Sequence, residues 1–251
     1  MSAFAASRGT RRLALAALLA LASALAGTTA CVDGGRAPSS GQPVVPPAVA
    51  RPDAASPVRF LALGDSFTIG TGSTPAESFP ARLASRWRAK GCTLTLENVA
   101  VNGYTSDDVI ELELPSIASF HPTFVSVAVG ANDIVRGRSL DAYRENVRRI
   151  LDAAKASGAR VIVLPQPDWS RSPSAASFGT QPALAESIAK FNATLAAEAR
   201  AKGAEWVDLV PLMQQQALKG QVASDGLHPS SDAYDEWATE LARVLSSPCA
   251  S

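Results

Sequence analysis

The stretch that decides the fold is VRFLALGDSFT, residues 58–68. Residues 58–63 are apolar apart from Arg59, which is typical of a strand that is buried on both faces of a parallel sheet. A Gly-Asp pair ends the run, and Ser66 follows on what we expect to be a sharp strand-to-helix turn. Serine on such a turn is a candidate nucleophile, provided that a base lies within reach.

Four further apolar, β-branched stretches follow, and segments with helical period separate them. In one of these segments, for example, apolar residues recur at positions 184, 188, 191 and 195. This alternation is typical of an α/β fold in which helices cover both faces of a parallel sheet. The predicted strands are residues 58–63, 93–99, 123–129, 160–164 and 204–209.

Polar residues follow the first three predicted strands. Ser66 follows the first strand, Asn102 and Gly103 follow the second, and the sequence GAND, residues 130–133, follows the third. In an open parallel sheet, ligands bind beyond the carboxyl ends of the strands. In the strand order 2-1-3-4-5 these three strands are neighbours, so the three loops would meet above strand one.

A late block, DGLHP at residues 225–229, places Asp225 and His228 three residues apart on one loop. With Ser66 they supply a nucleophile, a base and a group that orients the base. The other histidine, His121, precedes the third predicted strand and therefore belongs at the opposite edge of the sheet. These residues together predict a serine hydrolase that uses His228.

Acyl transfer also needs hydrogen-bond donors for the oxyanion of the intermediate. The candidates are the backbone N–H groups of Ser66 and Gly103 and the side-chain amide of Asn132. Ser66 as a helix cap and Asn132 as a turn residue are the structural alternatives. The presence of the downstream Asp-His pair favours the catalytic interpretation.

The four blocks together resemble those of the SGNH hydrolases, also called GDSL esterases or lipases. The blocks are residues 64–68, 98–103, 130–133 and 225–229, in the order of that family. Phe67 departs from the name-giving motif, which has Leu after the serine. The resemblance implies a flavodoxin-like three-layer α/β/α sandwich with a five-stranded parallel sheet of order 2-1-3-4-5. It also implies the catalytic set Ser66, Asp225 and His228, and an oxyanion hole formed by Ser66, Gly103 and Asn132.

Residues 1–30 read as a signal peptide, because arginines precede a short apolar run. Residues 31–57 are rich in Pro, Gly and Ser and read as a flexible linker, which leaves residues 58–251 as the hydrolase domain. Cys31 is a candidate lipidation site of a lipoprotein, and ordinary cleavage near it is the alternative. The sequence therefore predicts an exported protein, either anchored in a bacterial cell envelope or secreted.

The composition argues against several other classes. Without residues 1–30 the chain has 20 basic and 23 acidic residues, so no basic surface is available for nucleic acid. Three Cys and two His cannot form a four-ligand zinc site without carboxylates, so we predict no metal and no other cofactor. In an oxidising compartment Cys92 and Cys249 become a candidate disulfide, because both should lie at the edge of the sheet opposite Ser66.

The segment 165–181 has no period and follows the fourth strand toward the face of Ser66. We therefore expect Trp169 and Phe178 to line the substrate pocket. The leading hypothesis is an exported esterase that acts through an acyl-enzyme on a small-molecule, lipid or acylated-carbohydrate ester. The alternatives are an acyltransferase acting on an envelope glycan or lipid, and a non-catalytic envelope binding module of the same fold.

Overall fold

A computed structural model describes residues 57–249 of the chain. The predicted signal peptide, Cys31 and nearly all of the predicted linker lie outside the described residues. Within residues 57–249, no helix combines the length and the apolar character that crossing a membrane requires.

The central sheet has five parallel strands in the order β2-β1-β3-β4-β5, so the predicted fold class and strand order are confirmed. Phe60 of the first strand lies opposite Leu96 on one side and Phe124 on the other. The first strand is therefore an interior strand of the sheet, and its carboxyl end lies between those of β2 and β3. The strands are β1 (Val58–Gly64), β2 (Leu94–Asn98), β3 (Phe124–Ala128), β4 (Arg160–Val163) and β5 (Glu205–Trp206).

The last strand is much shorter than the predicted 204–209, so that boundary was wrong. Among residues 57–249, β5 is an edge strand that pairs with β4, and β4 ends at Val163. One further bond follows, from the Val207 N–H to the Val163 carbonyl. The Asp208 carboxylate then accepts the Val210 N–H at 3.0 Å, which turns the chain into a helix that the sequence analysis did not predict.

Helices cover both faces of the sheet. They are α1 (Ser66–Ile69), α2 (Phe79–Ala89), α3 (Ser106–Asp108), α4 (Pro115–Phe120), α5 (Ala131–Val135), α6 (Leu140–Ala156), α7 (Gln181–Ala201), α8 (Val210–Leu218) and α9 (Ser231–Val244). A π-helical turn, Val109–Glu113, lies between α3 and α4. Three 3-10 turns complete the structure: Pro75–Glu77, Trp169–Arg171 and Pro173–Ser177.

Successive residues of the strands belong alternately to two separate hydrophobic clusters, one on each face of the sheet. Phe60 packs with Trp87 of α2 and Trp237 of α9 in the first cluster, whereas Leu61 packs with Ile150 of α6 in the second. This is the two-residue period that a doubly covered sheet requires. The site described below therefore stands on a strand that is buried from both sides.

Cys92 and Cys249 form a disulfide with a Cα–Cα distance of 5.4 Å and a sequence separation of 157 residues. It lies at the end of the sheet where the parallel strands begin, which we call the amino edge; the carboxyl edge is the end where they finish. Cys92 precedes β2, and Cys249 follows α9. Helices α2 and α9 lie side by side, since Asp235 of α9 accepts hydrogen bonds from Arg82 and Arg86 of α2. The disulfide therefore ties the end of the chain to the start of β2.

Candidate active site

The turn after β1 presents Ser66 at the start of α1. Asp65 caps this short helix, because its Oδ1 accepts the Phe67 N–H at 3.1 Å. The Asn98 side chain donates to the Thr68 carbonyl at 2.9 Å and so joins the end of β2 to the same turn. Among the described residues, the Ser66 N–H donates no hydrogen bond. This donor therefore remains available to a ligand.

Asp225 and His228 form the hydrogen-bonded pair that their spacing predicts. His228 Nδ1 lies 2.7 Å from Asp225 Oδ2. Asp225 Oδ1 accepts the N–H groups of Leu227 at 2.8 Å and His228 at 3.0 Å. Partial burial would raise the pKa of Asp225, but these two N–H groups and the imidazole outweigh it and lower the pKa. The carboxylate therefore stays ionised and fixes the orientation of the imidazole.

Ser66 and His228 face the same cavity of about 260 Å³. The ring of Phe67 supports the imidazole, with ring centroids 5.3 Å apart. No hydrogen bond joins Ser66 to His228 in this geometry, and such bonds often tighten only when substrate binds. The structure thus brings Ser66, His228 and the Asp225 carboxylate, the three residues of the predicted catalytic set, to one place at the carboxyl edge of the sheet.

The loop after β2 is held by one side chain of α5, Asn132, and by Arg136, which caps the C-terminus of that helix. Asn132 Nδ2 donates to the Tyr104 carbonyl at 3.0 Å, and Arg136 Nη2 donates to the Gly103 carbonyl at 3.0 Å. Gly103 adopts a φ of +86°, which L side chains rarely adopt. Its N–H donates no hydrogen bond among the described residues. Asn132 keeps a second amide hydrogen and lines the cavity together with Ser66, whereas Gly103 is not among the residues that line it.

Three buried carboxyl groups lie near Ser66 or the loops around it: Asp65, Glu113 and Asp133. Burial raises the pKa of Asp65 to about 7; the Phe67 N–H opposes the rise and the charge of Asp133 adds to it. Burial likewise raises the pKa of Glu113 to about 9, against the Gly64 N–H, which Glu113 accepts at 2.8 Å. Asp133 accepts the N–H and the hydroxyl of Ser106, so its role is structural.

Trp169 and Phe178 both line the cavity and contact each other edge-on at 5.9 Å between ring centroids. Trp169 is only 3% exposed and also belongs to the first hydrophobic cluster, so it serves as core and as pocket wall together. Phe178 is 43% exposed and lies at the rim. His121 lies away from this site, where it ends α4 with a φ of +50°.

A family model for the GDSL-like Lipase/Acylhydrolase family matches residues 62–236, which include every residue of the site. The chain belongs to this family, the SGNH or GDSL hydrolases. It is therefore a carboxylic ester hydrolase of the GDSL type, and small-molecule esters are its class of substrate.

Two relatives of this GDSL hydrolase cover most of its length. It is 30% identical over 195 residues to "Thioesterase 1/protease 1/lysophospholipase L1" of Escherichia coli K12, over 76% of this chain and 85% of that one. It is 26% identical over 189 residues to an arylesterase of Vibrio mimicus, over 73% and 85% of the two chains. A solved lipase/acylhydrolase of Enterococcus faecalis matches its fold with a TM-score of 0.62 at 20% identity, over 74% of this chain and 94% of that chain.

The sequence analysis of this GDSL hydrolase missed Arg136 and Glu113. Arg136 lies four residues after Asn132, at the C-cap of α5, so helical spacing places the two side chains on the same side and was a usable signal. Glu113 had no such signal, because a π-helical turn changes which side chains point inward. Both residues act on the backbone of a loop that carries a site residue.

Proposed function

We propose that this chain is an exported serine esterase that hydrolyses carboxylic esters through an acyl-enzyme on Ser66. The observation that carries the proposal is the Asp225–His228 pair at 2.7 Å, with His228 facing the same cavity as Ser66. A binding module would need neither this pair nor free donors beside the serine.

In the acylation step, Ser66 Oγ attacks the carbonyl carbon of the ester and His228 Nε2 accepts the hydroxyl proton. Asp225 holds Nδ1 protonated, so that Nε2 presents its lone pair to the serine. The carbonyl oxygen becomes an oxyanion and accepts hydrogen bonds from the N–H groups of Ser66 and Gly103 and from Asn132 Nδ2. The intermediate collapses as His228 gives the proton to the leaving alcohol, and an ester on Ser66 remains.

Deacylation repeats the same chemistry with water as the nucleophile. His228 accepts a proton from the water, which attacks the acyl carbon, and the same three donors hold the second oxyanion. The proton on His228 then returns to Ser66 Oγ as the carboxylic acid leaves. Each oxyanion donor is expected to lower the barrier by about 3 kcal/mol.

The cavity supports a short or medium acyl group. Its walls are largely apolar, and its volume of about 260 Å³ lies below the roughly 300–1,000 Å³ of sites that enclose drug-sized ligands. Phe178 and Val135 are both half-exposed members of this wall, so they border the open side of the cavity. We propose that the acyl chain lies between them and that the alcohol part extends toward solvent.

A panel of p-nitrophenyl esters from acetyl to decanoyl, with acetylated oligosaccharides added, tests this function. We expect hydrolysis with the highest kcat/KM for short or medium acyl groups. Phe178→Ala should move the optimum to longer chains, whereas Leu218→Ala, which removes a 77% exposed apolar side chain that does not line this cavity, should leave it unchanged. Absence of hydrolysis of every ester would reject the esterase, and formation of new esters with added alcohols in preference to free acid would favour the acyltransferase.

Export is proposed from the sequence alone. The apolar run before Cys31 supports a signal peptide, and Cys31 supports a lipid anchor to the cell envelope. Mass spectrometry of the mature N-terminal peptide from native cells distinguishes the two forms. A lipid-modified Cys31 supports the lipoprotein, an unmodified N-terminus near Gly27 or Cys31 supports secretion, and an intact Met1 would reject export.

A further inference from the structure

The loop that carries Asp225 and His228 is held from outside by Ser172-Pro173-Ser174. Ser174 Oγ donates to the Asp225 carbonyl at 2.8 Å, and the Ser174 N–H donates to the Gly226 carbonyl at 2.8 Å. Ser172 Oγ donates to the Leu227 carbonyl at 3.2 Å. One tripeptide thus binds three consecutive carbonyl groups of this loop. We call Ser172-Pro173-Ser174 the serine clamp.

The side chain of Asp225 cannot provide this restraint, because its oxygens are used within the loop. They bind the N–H groups of Leu227 and His228 and the imidazole, all of which move with the loop. They fix the imidazole relative to Asp225 but not relative to Ser66. Contacts from outside the loop must therefore fix the position of the imidazole relative to Ser66.

Some of the bonds to this loop are local. The Ala223 N–H donates to the His228 carbonyl at 2.8 Å and the Ser230 N–H donates to the Gln221 carbonyl at 3.1 Å, so the residues just before the loop pair with those that end it. From outside this stretch, the Phe67 ring packs against the imidazole and the serine clamp supplies hydrogen bonds to the backbone. With the clamp in place, the carbonyl groups of all four residues from Asp225 to His228 are paired.

Gly226 shows how close the two segments approach. A Cβ at this position would lie 2.7 Å from Ser174 Oγ, and the φ of Gly226 is +72°. Both the conformation and the contact therefore require glycine at the centre of the loop. The hydroxyl group of Ser174 therefore packs directly against the backbone of Gly226.

The clamp belongs to the same segment as the pocket wall. The Ser172 N–H donates to the Trp169 carbonyl at 3.0 Å, and the Phe178 N–H donates to the Ala175 carbonyl at 2.9 Å. Two consecutive 3-10 turns thus connect Trp169, the clamp and Phe178 without a flexible interval. The segment that contacts the acyl group in the proposed function also holds the catalytic base.

We propose that Ser172 and Ser174 are positioning residues that set the place of His228 relative to Ser66 by binding the backbone of residues 225–227. This inference rests on the proposed esterase function. Without the two hydroxyl groups the loop keeps its internal Asp225–His228 pair but loses part of its external restraint. Because small displacements of catalytic groups are costly, kcat should fall by about tenfold or more while KM changes little.

The test is the double variant Ser172→Ala/Ser174→Ala, which removes both hydroxyls and keeps the Ser174 N–H. The matched control is Ser177→Ala, an exposed serine on the same 3-10 turn. Ser174→Thr in the Ser172→Ala background restores one hydroxyl. For each protein we would measure kcat and KM on one p-nitrophenyl ester, and amide hydrogen exchange at Leu227 and His228.

The clamp predicts that the double variant loses kcat, exchanges these two amides faster by about tenfold, and keeps its melting temperature within a few degrees. Ser177→Ala should behave as the wild type, and the Thr variant should recover part of kcat. Unchanged kcat and unchanged exchange in the double variant would overturn the clamp. Failure of the wild-type protein to hydrolyse any ester would instead reject the proposed function, and the exchange measurement would still decide whether the serines restrain the loop.

Discussion

The amino and carboxyl edges of the sheet differ in how their polar and reactive groups are paired. At the amino edge the groups are paired: Cys92 with Cys249, and Arg160 with both Glu205 and the Ser246 carbonyl. At the carboxyl edge the Ser66 N–H donates no hydrogen bond among the described residues, and buried carboxyl groups have raised pKa values. This difference indicates that the amino edge stabilises the fold, whereas the carboxyl edge holds reactive groups at a cost in stability.

The largest effect should follow from breaking the carboxyl edge at Asp225. Asp225→Asn removes the acceptor that holds His228 Nδ1 protonated, and loss of the correct tautomer costs about 10⁴ in kcat. We expect this loss with a melting temperature close to that of the wild type. Steady-state kinetics beside thermal unfolding measure both, and Asp232→Asn, an exposed change in the first turn of α9, is the control. A comparable loss in both variants would contradict the assignment.

The disulfide should show the opposite behaviour. The chain-entropy model gives up to about 5 kcal/mol for a loop of 157 residues, so Cys92→Ser/Cys249→Ser should lower the free energy of unfolding markedly. Because the bond lies at the amino edge, kcat at a temperature below unfolding should not change. Urea denaturation and kinetics at 15 to 20 °C, roughly where stability is greatest, provide the comparison. A loss of kcat in the folded double variant would show that the two edges are coupled.

The side-chain amide of Asn132 is a single proposed oxyanion donor at the carboxyl edge, and its removal tests that edge separately. Asn132→Ala should lower kcat by about a hundredfold or more and leave KM almost unchanged, because the oxyanion exists only near the transition state. Arg136→Ala should cost less, since Arg136 binds the Gly103 carbonyl and no reacting atom. Equal losses in both variants would mean that Asn132 acts only through the Tyr104 carbonyl that it also binds.

The last effect concerns Glu113 and appears only as a function of pH. Its pKa is raised from 4.5 to about 9 in the folded protein, so the folded state binds more protons than the unfolded state between those values. The contribution of Glu113 to stability should then fall as the pH rises from about 5 to 9, and Glu113→Gln should remove this contribution. Urea denaturation across that range measures the effect. Glu111→Gln, an exposed change in the same π-helical turn, should retain the wild-type slope.

The parts of the structure that the sequence predicts are those set by periodicity. The strand order, the two covered faces and the positions of Ser66, Gly103 and Asn132 all follow from polar residues placed directly after apolar strands. The meeting of Asp225 and His228 follows from their spacing on one loop. Each of these depends on local pattern and on the geometry of a parallel sheet.

The parts that the sequence does not predict depend on contacts between segments without period. The serine clamp joins residues 172–174 to residues 225–227, and no pattern in either segment indicates the other. Helix α8 has little helical periodicity, and β5 is short because its neighbour ends early. Trp169 was predicted to line the pocket rather than the core, and it does both because the pocket wall and the core meet at one buried side chain.

The central claim is that Ser66 is the nucleophile activated by His228, and covalent labelling tests it most directly. The wild-type protein should react with a fluorophosphonate probe, and peptide mass spectrometry should place the added mass on Ser66 alone. Ser66→Ala should take up no label, and His228→Ala should label far more slowly, because the serine lacks its base. Labelling of Ser66→Ala at the wild-type rate, or probe mass on a different residue of the wild-type protein, would contradict the account.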